Sequence, residues 1–181
     1  DIIPQSSYDR SDKNLKDAYG YNLEAGYRGG WHFLKWDVSY FRMQCDNRLG
    51  KLSMVDSTGH FYIFSTNIGS SVTNGAEFFV EGNFSLNEKV RLTVFTSTSL
   101  MDARYQNAAV KSGNMNVDIS GNKVESVPSW ITRNGITLKL KKVSFSTLYS
   151  FVGETFANPL NTITPTANGS VGLVPSYSLI D

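Results

Sequence analysis

The chain has 181 residues, of which 40% are apolar, 13% aromatic and 18% charged, and its 17 lysines and arginines balance 16 acidic residues. This near neutrality provides no field for binding nucleic acid, and the many aromatic residues argue against a disordered chain. The single cysteine, Cys45, can form neither an internal disulfide nor a cysteine-based metal cage. No segment approaches the ~18 consecutive apolar residues of a membrane helix, so only strands could carry this chain across a membrane.

Apolar and polar residues alternate along six segments, which is the pattern of strands with one apolar and one polar face. In chain order, these segments are residues 19–28, 31–43, 76–86, 89–100, 135–141 and 143–151. A seventh run begins at Ser176, shortly before the sequence stops at Asp181. The glycine-rich residues 69–75 are interpreted as a bend or bulge within one long strand that continues to Leu86.

The connections between these segments alternate between short and long. Three tight turns are predicted at Gly29-Gly30, Asn87-Glu88 and Lys141-Lys142. Three long polar connections are predicted at residues 44–60, 105–128 and 156–174. Long loops at every second connection are typical of an outer-membrane barrel, with short periplasmic turns and long extracellular loops. The pattern therefore favours an all-β fold of about seven strands that form an antiparallel up-and-down transmembrane β-barrel.

The polar face carries many charged residues, and we assign it to a wide barrel interior, with the apolar face outward to lipid. These residues are Glu24, Arg28, Lys35, Asp37, Glu77, Glu81, Arg91, Arg133 and Lys139. The alternation alone leaves a soluble sheet open, because such a sheet buries its apolar face against a second layer.

A series of short motifs follows the strand ends and turns along the chain. They are residues 14–16, 21–29, 36–41, 67–69, 75–77, 102–105, 121–124, 127–128, 152–156, 161–162 and 172–177. In this order, they resemble the motifs of TonB-dependent outer-membrane receptors. The last three together resemble receptors of the ferric-citrate type. No single motif is specific, but their order along residues 14–181 matches the family. Asp17, where the family usually has proline, and Ala76, where it usually has valine, are tolerable departures.

The resemblance implies a 22-stranded barrel, a plug domain with a TonB box, and a location in the bacterial outer membrane. Neither the plug nor the family's terminal aromatic strand is recognisable, so residues 1–181 are interpreted as part of the C-terminal β-barrel region. The resemblance implies uptake of a ferric chelate such as ferric citrate or a siderophore, with TonB acting only through the absent plug. No cofactor and no enzyme activity are expected, because no nucleophile–base pair or metal-ligand set is present.

If the ligand is an anionic chelate, cationic side chains on the inner wall become candidate contacts. Arg133 lies on the polar register of its segment, with Lys139 deeper, and Arg104 lies at an outer strand end. We hypothesise that Arg133 and Arg104 line the ligand path. The alternative is that each pairs with an acidic residue on a neighbouring strand.

Other chemistry-bearing residues are more simply structural. His32, His60 and Cys45 have no partners at metal-ligand or catalytic spacing. Glu77 and Glu81 lie about 13 Å apart on one strand face, too far for a glycosidase pair. The three tryptophans could form interfacial belts or pack in the ordinary way; they are Trp31, Trp36 and Trp130.

Two rival interpretations stay open from the sequence. One is a soluble all-β module that binds carbohydrate or another ligand through its tryptophans, and the other is a complete small outer-membrane barrel. A complete barrel needs an even strand count, which seven strands do not give. An open segment also has two free strand edges, so copies made in isolation should associate through them.

Overall fold

A computed structural model describes residues 9–112, 114–164 and 167–177, and these residues form ten strands without a helix. The strands are β1 (Asp9–Ser11), β2 (Tyr19–Trp31), β3 (Leu34–Val55), β4 (Phe61–Asn87), β5 (Val90–Gln106), β6 (Ala109–Ser112), β7 (Met115–Asp118), β8 (Trp130–Leu140), β9 (Val143–Val152) and β10 (Asn168–Tyr177). The described residues include no helix of the length and hydrophobicity that a membrane crossing requires.

Seven strands form one continuous antiparallel sheet in the order β10-β9-β8-β5-β4-β3-β2. Along this path each strand lies beside its neighbour in the sequence, apart from the inserted hairpin β6–β7, so the topology is up-and-down. Within the described residues, β2 and β10 are the two edges and do not pair with each other. Strand β1 adds in parallel to the part of β4 that extends beyond β5. The predicted number of main strands is therefore confirmed, and the described sheet is open.

The three short turns all lie at one rim of the sheet. The turn at Lys141-Lys142 is confirmed, but the other two are displaced, to His32-Phe33 and to Glu88-Lys89. The first turn was predicted at Gly29-Gly30 because glycine is common in turns, but both residues lie inside β2. A Cβ at residue 29 would lie only 2.5 Å from the ring of Trp36 on the neighbouring strand. Glycine at this position therefore leaves space for the tryptophan ring.

The predicted loop 44–60 is wrong, because β3 and β4 continue as a paired hairpin as far as Val55 and Phe61. This outer part of the hairpin has no alternating pattern. Outside a bilayer no face has to be apolar, so backbone pairing holds the strands without leaving a periodic signal. Only residues 56–60 form the turn.

The other two long connections are partly regular. Residues 105–128 contain the hairpin β6–β7, and residues 156–174 contain the first part of β10, which begins at Asn168 rather than Ser176. Glycine and serine in this segment weaken the strand signal. The end of the predicted last strand, residues 178–181, lies outside the described residues.

The predicted bulge is present in β4. The register of β3 and β4 shifts beside Gly69, whose φ is +129°. A Cβ at this position would also stand 2.4 Å from the carbonyl oxygen of Asn107. Both the conformation and the close approach require glycine here.

No second layer covers the sheet in the part of the chain that the structure describes, and the hydrophobic core sits at the outer end, away from the short turns. The buried residues of this core are Ile68, Ala103, Tyr105, Ala108, Val110, Ile119 and Val124. Along the middle of the sheet, by contrast, large apolar side chains such as Tyr27 and Ile136 are exposed. This exposure disagrees with the soluble two-layer alternative, because such a sheet would cover its apolar face.

Candidate functional surface

The strand register places most apolar side chains of the wall on one face. Residues directly opposite in antiparallel strands point to the same side of a sheet, so each paired row defines one face. The rows of this apolar face include Trp31, Leu34; Tyr27, Val38, Phe78; Val94, Ile136; Leu92, Leu138, Phe145; and Val90, Leu140, Val143.

The height of this face fits a bilayer. In β8 the residues on this face run from Trp130 to Leu140. They span about 33 Å along the strand, which is a height of about 25 Å across the membrane at a typical barrel tilt. Trp31 lies at the short-turn end of the face and Trp130 at the outer end, both exposed. Two tryptophans at opposite borders are the arrangement of interfacial aromatic belts, whereas Trp36 lies between them.

The opposite face carries the charged residues that the sequence assigned to it. In one half of this face, on β2 to β4, two of the cations are paired with carboxylates. The Nε of Arg28 donates to Oδ2 of Asp37 at 2.7 Å, and Lys35 Nζ lies 3.9 Å from Glu81 Oε1. Glu77 accepts a hydrogen bond from the hydroxyl of Ser99 at 3.1 Å.

The other half of the polar face, on β5 and β8, carries cations that form no ion pair with an acidic residue in the described part of the chain. Arg133 lies between Ser97 of β5 and Ser150 of β9 and is exposed. Its guanidinium makes no ion pair or hydrogen bond with any described residue. The structure thus places Arg133 on the predicted face, with its charge available to an anion.

Arg104 is in a different environment. It lies near the outer end of β5, as predicted. Its side chain, however, is on the same face of the strand as that of Leu100, which belongs to the apolar face. Its Nε donates to Asp102 Oδ2 at 2.9 Å, and its Nη1 donates to the carbonyl oxygen of Gly121 at 2.9 Å. Arg104 therefore has an acidic partner, but Asp102 lies on the same strand β5 and not on a neighbouring strand as the alternative proposed. The structure does not bring Arg104 together with Arg133.

A polar network, which the sequence did not predict, lies beside the outer core. The hydroxyl of Tyr105, a residue that is 3% exposed, donates to Glu125 Oε2 at 2.5 Å. The guanidinium of Arg48 lies over its ring, 5.3 Å from the centroid, and donates to Ser71. Burial, and then the neighbouring carboxylate, raise the pKa of Tyr105, which keeps the hydroxyl protonated. Its partners lie far apart in the sequence, so no local motif signals the network.

A polar cleft of about 520 Å³ opens beside the outer core. The side chains of three asparagines, Asn47, Asn67 and Asn107, contribute to its lining, together with Asp118 and Ser120. Most of these groups already stabilise the backbone. For example, the amide of Asn67 donates to the carbonyl oxygens of Lys16 and Asn47.

The remaining candidates are structural. His32 is in a turn with φ +52° and packs edge-on against Trp31, whereas His60 caps the tip of the β3–β4 hairpin. Cys45 is a free, half-buried thiol. Within residues 9–112, 114–164 and 167–177, no three histidine, cysteine or acidic side chains meet in a group suited to a metal ion.

These features define the class of protein. A single-layer, up-and-down antiparallel sheet with one apolar face of bilayer height and one charged face is a segment of a transmembrane β-barrel wall.

The chain belongs to the family of TonB-dependent receptor-like β-barrels, which matches residues 3–181. Comparison with curated protein sequences finds no match.

Solved structures share this fold. The siderophore receptor PiuA from Acinetobacter baumannii is 17% identical with a TM-score of 0.66, covering 89% of this chain and 22% of its own. The copper transporter OprC is 12% identical with a TM-score of 0.65, covering 94% and 26%. The FrpB iron transporter from Neisseria meningitidis (F3-3 variant) is also 12% identical, with a TM-score of 0.63 and coverages of 94% and 26%.

The chain thus spans about a quarter of the length of these structures. Family membership confirms the predicted barrel-wall fold, with short periplasmic turns and long extracellular loops, and the outer-membrane location. It also agrees with a receptor rather than an enzyme.

Proposed function

We propose that this chain is one part of the barrel wall of an outer-membrane receptor that takes up a metal chelate. The main support is the family match over residues 3–181. It is joined by the structure of the wall, which has one apolar face suited to lipid and one charged face. The similar solved structures are described as a siderophore receptor, a copper transporter and an iron transporter. They support metal uptake as the shared theme.

The share of each solved structure that the chain covers, 22% to 26%, supports a larger barrel whose other strands lie outside this sequence. In this proposal a plug domain elsewhere in the receptor contacts TonB, and this chain contacts outer-membrane lipid. The edges of β2 and β10 then pair with further strands of the same barrel, since an unpaired edge in a bilayer leaves backbone groups without partners.

The ligand we favour is an anionic ferric chelate of the ferric-citrate type. Arg133 supports an anion, because its charge points to the polar face and has no acidic partner among the described residues. An arginine binds carboxylate oxygens through paired N–H groups, which suits a citrate-like ligand. Arg133 is therefore proposed to contact the ligand or to line its path.

Arg104 has a smaller part in this proposal. Its bond to the carbonyl oxygen of Gly121 ties the part of the outer loop that follows β7 to β5, and Asp102 on the same strand orients its guanidinium. We propose that it positions this loop at the mouth of the path, so that its replacement affects the ligand through loop order.

The test uses the complete receptor with Arg133→Gln and, as a matched control, Arg28→Gln, a paired arginine on the same face. Binding and uptake of ferric citrate are measured beside those of a neutral ferric chelate. We expect Arg133→Gln to weaken ferric-citrate binding about tenfold, the loss of roughly one charge-assisted contact, and to spare the neutral chelate. Unchanged affinity, or an equal loss in Arg28→Gln, would contradict the role of Arg133.

A further inference from the structure

Four cationic side chains gather at the short-turn rim: Lys89, Arg91, Lys139 and Lys141, here named the rim cluster. Two adjacent turns bring them together, because the backbone N–H of Lys141 donates to the carbonyl oxygen of Lys89 at 2.9 Å. Arg91 and Lys139 are directly opposite each other in the register of β5 and β8. All four residues are exposed.

The rim concentrates positive charge in a chain that is otherwise acidic. With the adjacent Lys142, residues 85–91 and 139–142 hold five cations and one acid, Glu88. The other residues of the sequence then hold 12 cations against 15 acids. The cluster is therefore a local feature and does not reflect the overall composition.

Glu88 is the acidic residue in the turn beside Lys89, but it forms no ion pair with the cluster. None of its four side chains forms an ion pair or hydrogen bond with a described residue, in contrast to the bonded pair of Arg28 and Asp37 on β2 and β3. Like charges directly opposite in neighbouring strands repel. An anion bound between them would remove this repulsion.

The cluster also lies at the border of the lipid-facing surface. On the apolar side of the same strand ends, Leu86, Leu140 and Phe145 are exposed. A concavity of about 380 Å³ opens between the two turns and is lined by Ser85, Asn87 and Glu88 together with Val90 and the cluster itself. A lipid at this position on the rim could therefore contact the apolar side chains with its acyl chains and the cationic side chains with its headgroup.

The two strand residues of the cluster lie on the polar face, so their charged ends approach this border around the strand ends. Arg91 and Lys139 each lie one residue inside a strand end, a distance of about 3 Å along the strand. Long cationic side chains extend farther than this and turn their charged ends toward the interface.

We propose that the rim cluster binds the phosphate of an anionic phospholipid in the periplasmic leaflet. The acyl chains lie on the apolar face beside Leu140, and the phosphate lies between the turn lysines and Arg91. Arginine and lysine clusters at a membrane border recognise such headgroups through charge-assisted hydrogen bonds. This site is independent of the proposed chelate, because it lies at the opposite end of the wall from the extracellular loops.

The experiment measures lipid retention by the complete receptor in zwitterionic detergent, using native mass spectrometry. Phosphatidylglycerol and phosphatidylcholine with identical acyl chains are titrated in parallel. The cluster variants are Lys89→Gln/Lys141→Gln and Arg91→Gln/Lys139→Gln. The matched control, Lys13→Gln/Lys16→Gln, removes two exposed cations at the outer end.

The wild type and the control should prefer phosphatidylglycerol about tenfold, and each cluster variant should lose at least about fivefold of this preference. Raising the salt concentration should weaken the preference in the wild type, which tests the site without any variant. A wild type without preference, or cluster variants that match the control, would overturn the proposal. Inorganic pyrophosphate that displaces the lipid at equal concentration would overturn the lipid assignment in favour of a soluble phosphate.

Discussion

The outer end and the wall of this sheet are stabilised by different means. At the outer end, Ile119 is completely buried and Tyr105 nearly so, within a core built by residues of β4, β5 and the following loop. In the wall, Tyr27 and Ile136 are 70% and 53% exposed, respectively. The outer end therefore resembles a soluble protein, whereas the wall depends on lipid to cover its apolar face.

The comparison also explains why the loops can be long. Ordering a long loop costs a large amount of conformational entropy. Here residues of the hairpin β6–β7 and of the segment 119–124 pack into the core, and this burial offsets the cost. Backbone hydrogen bonds reinforce this, as in the bond from the N–H of Val124 to the carbonyl oxygen of Ala103 at 3.0 Å.

The largest expected effect follows from emptying the outer core. Ile119→Ala should destabilise the outer end by about 3 to 5 kcal/mol, because it leaves a cavity in place of a fully buried side chain. Hydrogen exchange at the amides of Tyr105, Gly121 and Val124 measures this loss, since all three bond within this region. The control is Ile163→Ala, at an exposed position. Unchanged protection in Ile119→Ala would show that the loop is not held by this core.

Next in size is a charge on the lipid face of the wall. Ile136→Arg should cost about 2 to 4 kcal/mol of folding free energy in lipid vesicles, since residue 136 lies near the middle of the apolar band. Thr137→Arg, one residue away on the polar face, is the matched control and should cost much less. Equal costs for the two variants would contradict the assignment of the faces.

A smaller effect is expected from the polar network at the outer end. Tyr105→Phe should cost about 1 to 3 kcal/mol, because Glu125 loses a hydrogen bond to its charged carboxylate. A double-mutant cycle with Glu125→Gln, followed by denaturant unfolding of the outer end, isolates the pair. A coupling energy of zero would mean that the two groups act independently.

The smallest effect concerns pH at the hairpin tip. Hydrogen bonds from the Thr58 hydroxyl and then the His60 backbone lower the pKa of Asp56 to about 2 from its ordinary 3.8. A depressed folded-state pKa stabilises the tip above the ordinary pKa, and this contribution is lost as the pH falls toward 2. The protection factor of the Gly59 amide, which bonds to the carbonyl oxygen of Asp56, should fall over this range once the intrinsic pH dependence of amide exchange is divided out. Asp56→Asn should show no such pH dependence.

The wall was predictable because lipid imposes a two-residue period on its strands. Arg133 was assigned to the correct face for this reason, since its register follows from the alternation in β8. The turn at residues 32–33 was misplaced because Gly29 serves the packing of Trp36 and not a turn.

The outer end was not predictable in the same way. Between residues 44 and 60 no lipid-facing surface imposes a two-residue apolar period, so the strands pair without a pattern in the residue types, and Leu52 packs against the outer core. The contact of Arg104 with Gly121 and the bond of Tyr105 to Glu125 join residues far apart in the sequence. Such contacts depend on how the loop folds back, which no local spacing encodes.

The most direct test of the central claim, that one face of the wall meets lipid and the other the aqueous interior, is a cysteine scan of β8. Single cysteines replace residues 133 to 139 one at a time in a Cys45→Ser background, and a fluorescent label reports quenching by brominated lipid or aqueous iodide. Labels at 134, 136 and 138 should be quenched by the lipid, and labels at 133, 137 and 139 by iodide. Quenching without alternation, or with the opposite phase, would contradict the account.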